Sequence, residues 1–156
     1  MIKRLTKIVI ALSFLLMQPL LSASEIAIIV NKENATDNVS FTELVKIFKQ
    51  DKQYWDKEKI YLILQEADSP EKKIILKKVY HLTDEELKKL WLAKMFKGEI
   101  MEFPKTLASN EAVKRFVSQI PNAVGFINND VADNTVKVLK IDSKLPKDAD
   151  YILTDR

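Results

Sequence analysis

The stretch Ile60-Tyr61-Leu62-Ile63-Leu64-Gln65-Glu66-Ala67-Asp68-Ser69-Pro70-Glu71-Lys72-Lys73-Ile74-Ile75 decides how this chain folds. Ile60 to Gln65 is an apolar run of strand length that breaks into the polar Glu66-Ala67-Asp68. Ser69 then suits a helix N-cap, because its side-chain oxygen can accept one of the orphan N–H groups of the first turn. Pro70 suits the first helical position, where its fixed φ is already helical and its missing N–H is no loss. A helix that opens just past a strand is where many α/β proteins hold anions. Any small-molecule site of this chain is expected at this junction.

The pattern on either side of the junction is strand alternating with helix. Ile26-Ala27-Ile28-Ile29-Val30 is a β-branched run expected to be a buried first strand, and Asn31 to Asn38 is polar loop. Ser40-Phe41-Thr42-Glu43 reads as a capping box, with Leu44, Ile47 and Phe48 following at helical spacing. Tyr54 and Trp55 fall in a loop before the Ile60 strand. Pro70 to about Tyr80 is one helix. Thr83-Asp84-Glu85-Glu86 is a second capping box, and Leu87, Leu90, Trp91, Lys94 and Met95 follow it, with Gly98 as a stop. In this helix Asp84-Glu85-Glu86-Leu87-Lys88-Lys89 reads as a solvated face. Phe103-Pro104 is loop. Ser109 or Asn110 caps a helix carrying Ala112, Val113, Phe116 and Val117. Strands follow at Ala123–Ile127 and Val136–Ile141. The expected fold class is α/β, a mixed or mostly parallel sheet flanked by helices.

Met1 to Lys7 is basic, Ile8 to Leu16 is an apolar core extended to Leu21, and Ser22-Ala23-Ser24 supplies small residues. This is the pattern of a cleaved secretory signal peptide over residues 1–24, with no membrane span expected after cleavage. Residues 25–156 then form one domain by length. The expected location is the periplasm or the exterior. The chain has 25 Lys+Arg against 22 Asp+Glu. Lys3, Arg4 and Lys7 make up the whole excess, so the mature part is formally neutral and gives no global argument for nucleic acid.

Catalysis finds little footing. The chain has one His, no Cys and two Gly. His81, between two helices, reads as a linking residue. No metal-ligand spacing and no glycine-rich phosphate loop occur in the sequence. No enzyme activity, catalytic residue, metal or cofactor is expected.

Four segments, taken together, resemble the phosphate-binding branch of the type II periplasmic solute-binding proteins. They are Val39-Ser40-Phe41-Thr42-Glu43-Leu44-Val45-Lys46-Ile47-Phe48 followed by Trp55, the strand leading to Asp68-Ser69-Pro70, Leu90-Trp91 leading to Met95-Phe96-Lys97-Gly98, and Ile120-Pro121-Asn122-Ala123-Val124-Gly125-Phe126-Ile127. The resemblance spans about Ile26 to Ile141 and implies one lobe of a fold whose full-length members close two lobes on phosphate. It implies ligand contacts at Ser40, Ser69 and Lys72, with Lys72 standing where small single-lobe relatives carry an Arg. The chemistry departs from the strong phosphate binders. Their Gly after the "IF" pair is replaced near Lys49-Gln50, and their Arg and Ser-Gly-Thr become Gln65-Glu66 and Ser69-Pro70-Glu71. Pro70 removes a donor. Glu66, Asp68 and Glu71 add negative charge, each costing on the order of a few kcal/mol near a partly buried anion if uncompensated.

Two functions fit these observations. One is a solute-binding module for phosphate or another small oxyanion, its cleft completed by a second copy or an envelope protein. The other is a ligand-free periplasmic module that keeps the fold and binds an envelope or sensor protein.

Overall fold

A computed structural model describes residues 24–155. The expected leader lies outside these residues except for Ser24. The described elements are β1 (Ile26–Val30), β2 (Asn38–Val39), α1 (Phe41–Phe48), β3 (Tyr54–Trp55), β4 (Glu58–Lys59), β5 (Tyr61–Gln65), α2 (Pro70–Ile75), α3 (Asp84–Phe96), β6 (Lys105–Leu107), α4 (Asn110–Gln119), β7 (Ala123–Asn128), β8 (Lys137–Val138) and β9 (Lys140–Ile141).

Five strands form one sheet in the order β6-β5-β7-β1-β8. β5 runs parallel to both β6 and β7, while β1 runs antiparallel to β7 and β8. The expected mixed, mostly parallel α/β sheet is therefore present. The two parallel crossovers use opposite faces. The first passes from β5 through α2 and α3 to β6. The second passes from β6 through α4 to β7, on the far side of β5.

Both faces are covered, which explains the unbroken apolar runs of β1, β5 and β7. The pleat sends alternate residues to opposite sides. Ile26, Ile28, Val30, Leu62, Leu64, Val124 and Phe126 pack with α1, α2 and α3, while Ala27, Ile29, Ile63, Ala123 and Ile127 pack with Val113 and Val117 of α4. All five residues of β1 have zero exposure. Each fully buried Ile or Val there contributes about 1.5–3 kcal/mol relative to exposure. Gly125 lets α4 lie close to the sheet, because a Cβ at that position would sit 2.7 Å from Cγ1 of Val113.

Several elements differ from the sequence reading. The helix expected from Pro70 to Tyr80 is α-helical only to Ile75, and Leu76–Tyr80 is a wider π-helical turn. His81 closes it with a left-handed φ of 53°. Tyr54 and Trp55 do not form a loop. They pair with Lys59 and Glu58 as a two-strand hairpin, turned by Asp56 at φ 52°. Lys105–Leu107, with no apolar alternation to mark it, adds an edge strand beside β5. Asn38–Val39, read as the end of a loop and the residue after it, pairs in parallel with β9. The late strand expected over Val136–Ile141 is split, with β8 in the main sheet and β9 on β2. Gln50 holds a left-handed φ of 58° just after α1.

Candidate functional site

The junction after β5 has the local structure its residues dictate. Ser69 is the N-cap of α2, its Oγ accepting from the backbone N–H of Lys72 at 3.0 Å, and Pro70 is the first helical residue. Gln65, the last residue of β5, is 1 % exposed and donates from Nε2 to the Asn110 side-chain oxygen at 2.8 Å and to the Phe126 carbonyl at 2.9 Å. The same Asn110 oxygen accepts from the Asn128 N–H, and its amide group donates to Glu71 at 3.1 Å. One asparagine at the start of α4 thus ties the carboxyl ends of β5 and β7 to α2. Every one of these groups is buried or half-buried, so the set is held by partners and not by solvent.

Lys72 gives this junction its charge. It is 4 % exposed. Its ammonium donates to the Gln65 carbonyl at 3.1 Å and to Oδ1 of Asp84 at 3.2 Å. An ammonium has three N–H bonds. Two are satisfied here, and the third has no partner among the described residues. The carboxylate of Asp84 is shared, with Lys88 on its other oxygen at 2.7 Å. Burial alone would raise the Asp84 carboxyl, but hydrogen bonds from Lys88 and Lys72 outweigh it and hold the group below the usual carboxylate range. Lys88 is 73 % exposed, so water screens it, and the buried charge at this spot is that of Lys72 against a shared Asp84.

The acidic residues expected to oppose an anion divide into two kinds. Glu66 and Asp68 are exposed, where water screens them. Glu71 is 7 % exposed and bound to Asn110. Asp84 was read as part of a solvated face of its helix, and that reading needs correction. Thr83 caps α3 with a complete capping box, which places Asp84 at the first helical position beside Lys72. His81, at φ 53°, ends the π-helical turn between Lys72 and Asp84, and no spacing rule announces their approach. Asn110 was read as an alternative cap for α4. Ser109 takes the cap, and Asn110 faces the network instead.

Beside Lys72 lies a cavity of about 320 Å³. Its walls include Leu64 of β5, Leu87 and Trp91 of α3, and Phe103, with Lys72 and Asp84 at the polar end. Trp91, read as core, does pack there, edge-on to Tyr80 with ring centroids 6.0 Å apart.

Ser40 occupies a second helix start. Its Oγ accepts from Glu43 N–H at 3.1 Å as the N-cap of α1. The neighbouring Phe41 N–H already donates to Oδ1 of Asp142 at 3.0 Å. β2 is parallel to β9, which follows β8 with only Leu139 between them, and β8 points the same way as β5 and β7. Ser40 and Ser69 therefore both follow strands directed to the same end of the sheet. Ser69 and Lys72 share a direct contact, whereas Ser40 has its own separate contacts.

No group of three or more metal-ligating side chains occurs among the described residues, and no described helix is long and apolar enough to cross a membrane. No family model matches the sequence. No curated protein matches it. Solved structures do. An ABC-type phosphate transport receptor from Vibrio cholerae aligns with a TM-score of 0.63 at 20 % identity, over 80 % of this chain and 48 % of that one. A structure described as a phosphate ABC transporter substrate-binding protein from Clostridium perfringens, with bound phosphate, aligns with a TM-score of 0.65 at 18 % identity, over 79 % and 47 %. PstS from Borrelia burgdorferi aligns with a TM-score of 0.63 at 21 % identity, over 80 % and 49 %. The chain spans about half the length of these proteins and has the fold of that half, a partial PstS-like domain.

Proposed function

We propose that this chain is an exported solute-binding module that takes a small oxyanion, phosphate among them, at the carboxyl end of β5. One observation carries the reading: a buried ammonium, Lys72, keeps an N–H without a partner at the place where strand and helix meet. Burying a cation is unfavourable unless its donors are used, and an incoming oxyanion would use the one left over. Ser69 assists. Its oxygen accepts from Lys72 N–H, so its own hydroxyl hydrogen stays available to an anion oxygen. The ligand sits in a cleft whose opposite wall a second copy or an envelope protein would supply. Ser40, exposed at the same end of the sheet, stands where Asp142 already accepts from the start of α1 and takes no part in holding the anion.

The charge is suited to a weakly held ligand. Asp84 partly neutralises Lys72, and Pro70 supplies no backbone donor. Location follows the leader pattern of residues 1–24, and we assign the mature chain to the periplasm as a solute receptor related to phosphate uptake.

Titration of the purified protein with inorganic phosphate and sulfate, by calorimetry and thermal shift, tests this function. A Kd of about 1 mM or tighter, near −4 kcal/mol, is expected, and Lys72→Met should weaken it at least about tenfold by removing the charged donor. Neither heat nor thermal stabilisation at tens of millimolar anion would contradict the proposal.

A further inference from the structure

The cavity next to Lys72 has room for more than a bare inorganic anion, and its rim is apolar at Phe103 and Pro104. Ligand pockets run from about 300 Å³ upward and bury most of a molecule that has an apolar body. This one, at about 320 Å³, is at the small end of that range. Leu64, Leu87 and Trp91 form its buried apolar wall, and Phe103, half-exposed, lies at its rim. A tetrahedral phosphate would satisfy Lys72 and leave the exposed rim formed by Phe103 and Pro104 facing water.

The polar end specifies the charge. Lys72 is buried and already paired with the Asp84 carboxylate, while Lys88 is 73 % exposed and screened by water. The second charge of a dianion would lie near the Asp84 carboxylate in a partly desolvated site, so a single negative charge is favoured. The open donor on Lys72 is a single N–H, which matches one carboxylate oxygen.

We propose that the preferred ligand is a small monoanionic carboxylic acid with an aromatic or branched apolar body, its carboxylate on Lys72 and its body against Phe103 and Pro104. This inference rests on the reading that Lys72 receives an oxyanion, and it names the class of that oxyanion.

The test is a calorimetric titration of the purified protein with 3-phenylpropionate, acetate, inorganic phosphate and the neutral 3-phenylpropan-1-ol, repeated with Phe103→Ala. Phe103 lies in an exposed loop, so its truncation should leave the fold intact, with an unchanged melting temperature as the check. Burial of the ring should make 3-phenylpropionate bind at least about tenfold tighter than acetate or phosphate. The alcohol should bind at least about tenfold more weakly than the acid, for want of the charge-assisted bond. Phe103→Ala should reduce the advantage of 3-phenylpropionate and leave acetate and phosphate unchanged. Equal affinity for all three anions would overturn this inference and leave the oxyanion reading standing. An alcohol that binds as well as the acid would overturn the carboxylate assignment. Failure of every probe to bind would overturn both.

Discussion

Two helices open at the same end of this sheet, each capped by a serine, yet their chemistry is unlike. At the start of α1, Ser40 holds the Glu43 N–H and the Asp142 carboxylate accepts from Phe41 N–H. An acid of the chain itself already stands at the positive end of that helix. At the start of α2, Ser69 holds the Lys72 N–H and Pro70 has no N–H to offer. What remains there is a side chain, the buried Lys72 ammonium with one open donor. A Ser cap after a strand marks where a helix begins. Whether an anion can bind there depends on which charged groups the rest of the fold brings to that place.

The sharpest way to break this contrast is to remove the partner of the buried charge. Asp84→Asn leaves Lys72 buried without its counter-ion, and breaking a buried pair from one side costs about 3–5 kcal/mol. The lower end of that range is expected by urea unfolding, because the Gln65 carbonyl still accepts from Lys72. Lys72→Met should cost far less, under about 1 kcal/mol, because the apolar stem is replaced and Asp84 keeps Lys88. Equal costs for the two variants would show that the pair is not organised around a buried lysine.

Next come the caps. Ser69→Ala and Ser40→Ala should each lower stability by about 1 kcal/mol, the usual worth of an N-cap. Only Ser69→Ala should also reduce affinity for a small oxyanion by several-fold, through loss of its hydroxyl. If Ser40→Ala weakens binding as much, the two helix starts act as one site.

The same pair also shows in the acid limb of stability. The Asp84 carboxyl is held below its ordinary value of 3.8 in the folded protein. A depressed carboxyl stabilises the fold above the unfolded value, and this contribution disappears as pH falls through the lower folded value. The pair should be at full strength at pH 5 and above and be lost progressively below 3.8. In Asp84→Asn the stability difference from the parent should therefore shrink on acidification. A difference independent of pH from 5 to 2 would show that Asp84 is not the titrating group.

The fold was legible wherever one local rule acted alone. Ile26–Val30, Ile60–Gln65 and Ala123–Ile127 are apolar on both faces because helices cover both, and Ser69, Thr83 and Ser109 are caps with ordinary side-chain geometry. Gly125 belongs to the same class, since its strand must admit Val113. What was not legible depended on long-range pairing. β6 exists because β5 offers it an edge, and β2 because β9 passes alongside, and both are too short and polar to carry a period. The candidate site divides in the same way. Ser69 and Lys72 adjoin in sequence and in space, whereas Asp84 and Asn110 reach them through turns and crossovers that no spacing encodes.

A heteronuclear NMR titration of the backbone amides with inorganic phosphate bears most directly on the claim that Lys72, and not a helix N-terminus, receives the anion. The account predicts shift changes centred on Lys72, Asp84 and Trp91, with Phe41 and Glu43 unmoved, and their disappearance in Lys72→Met. Changes centred on Phe41 and Glu43, or changes that persist in Lys72→Met, would contradict it.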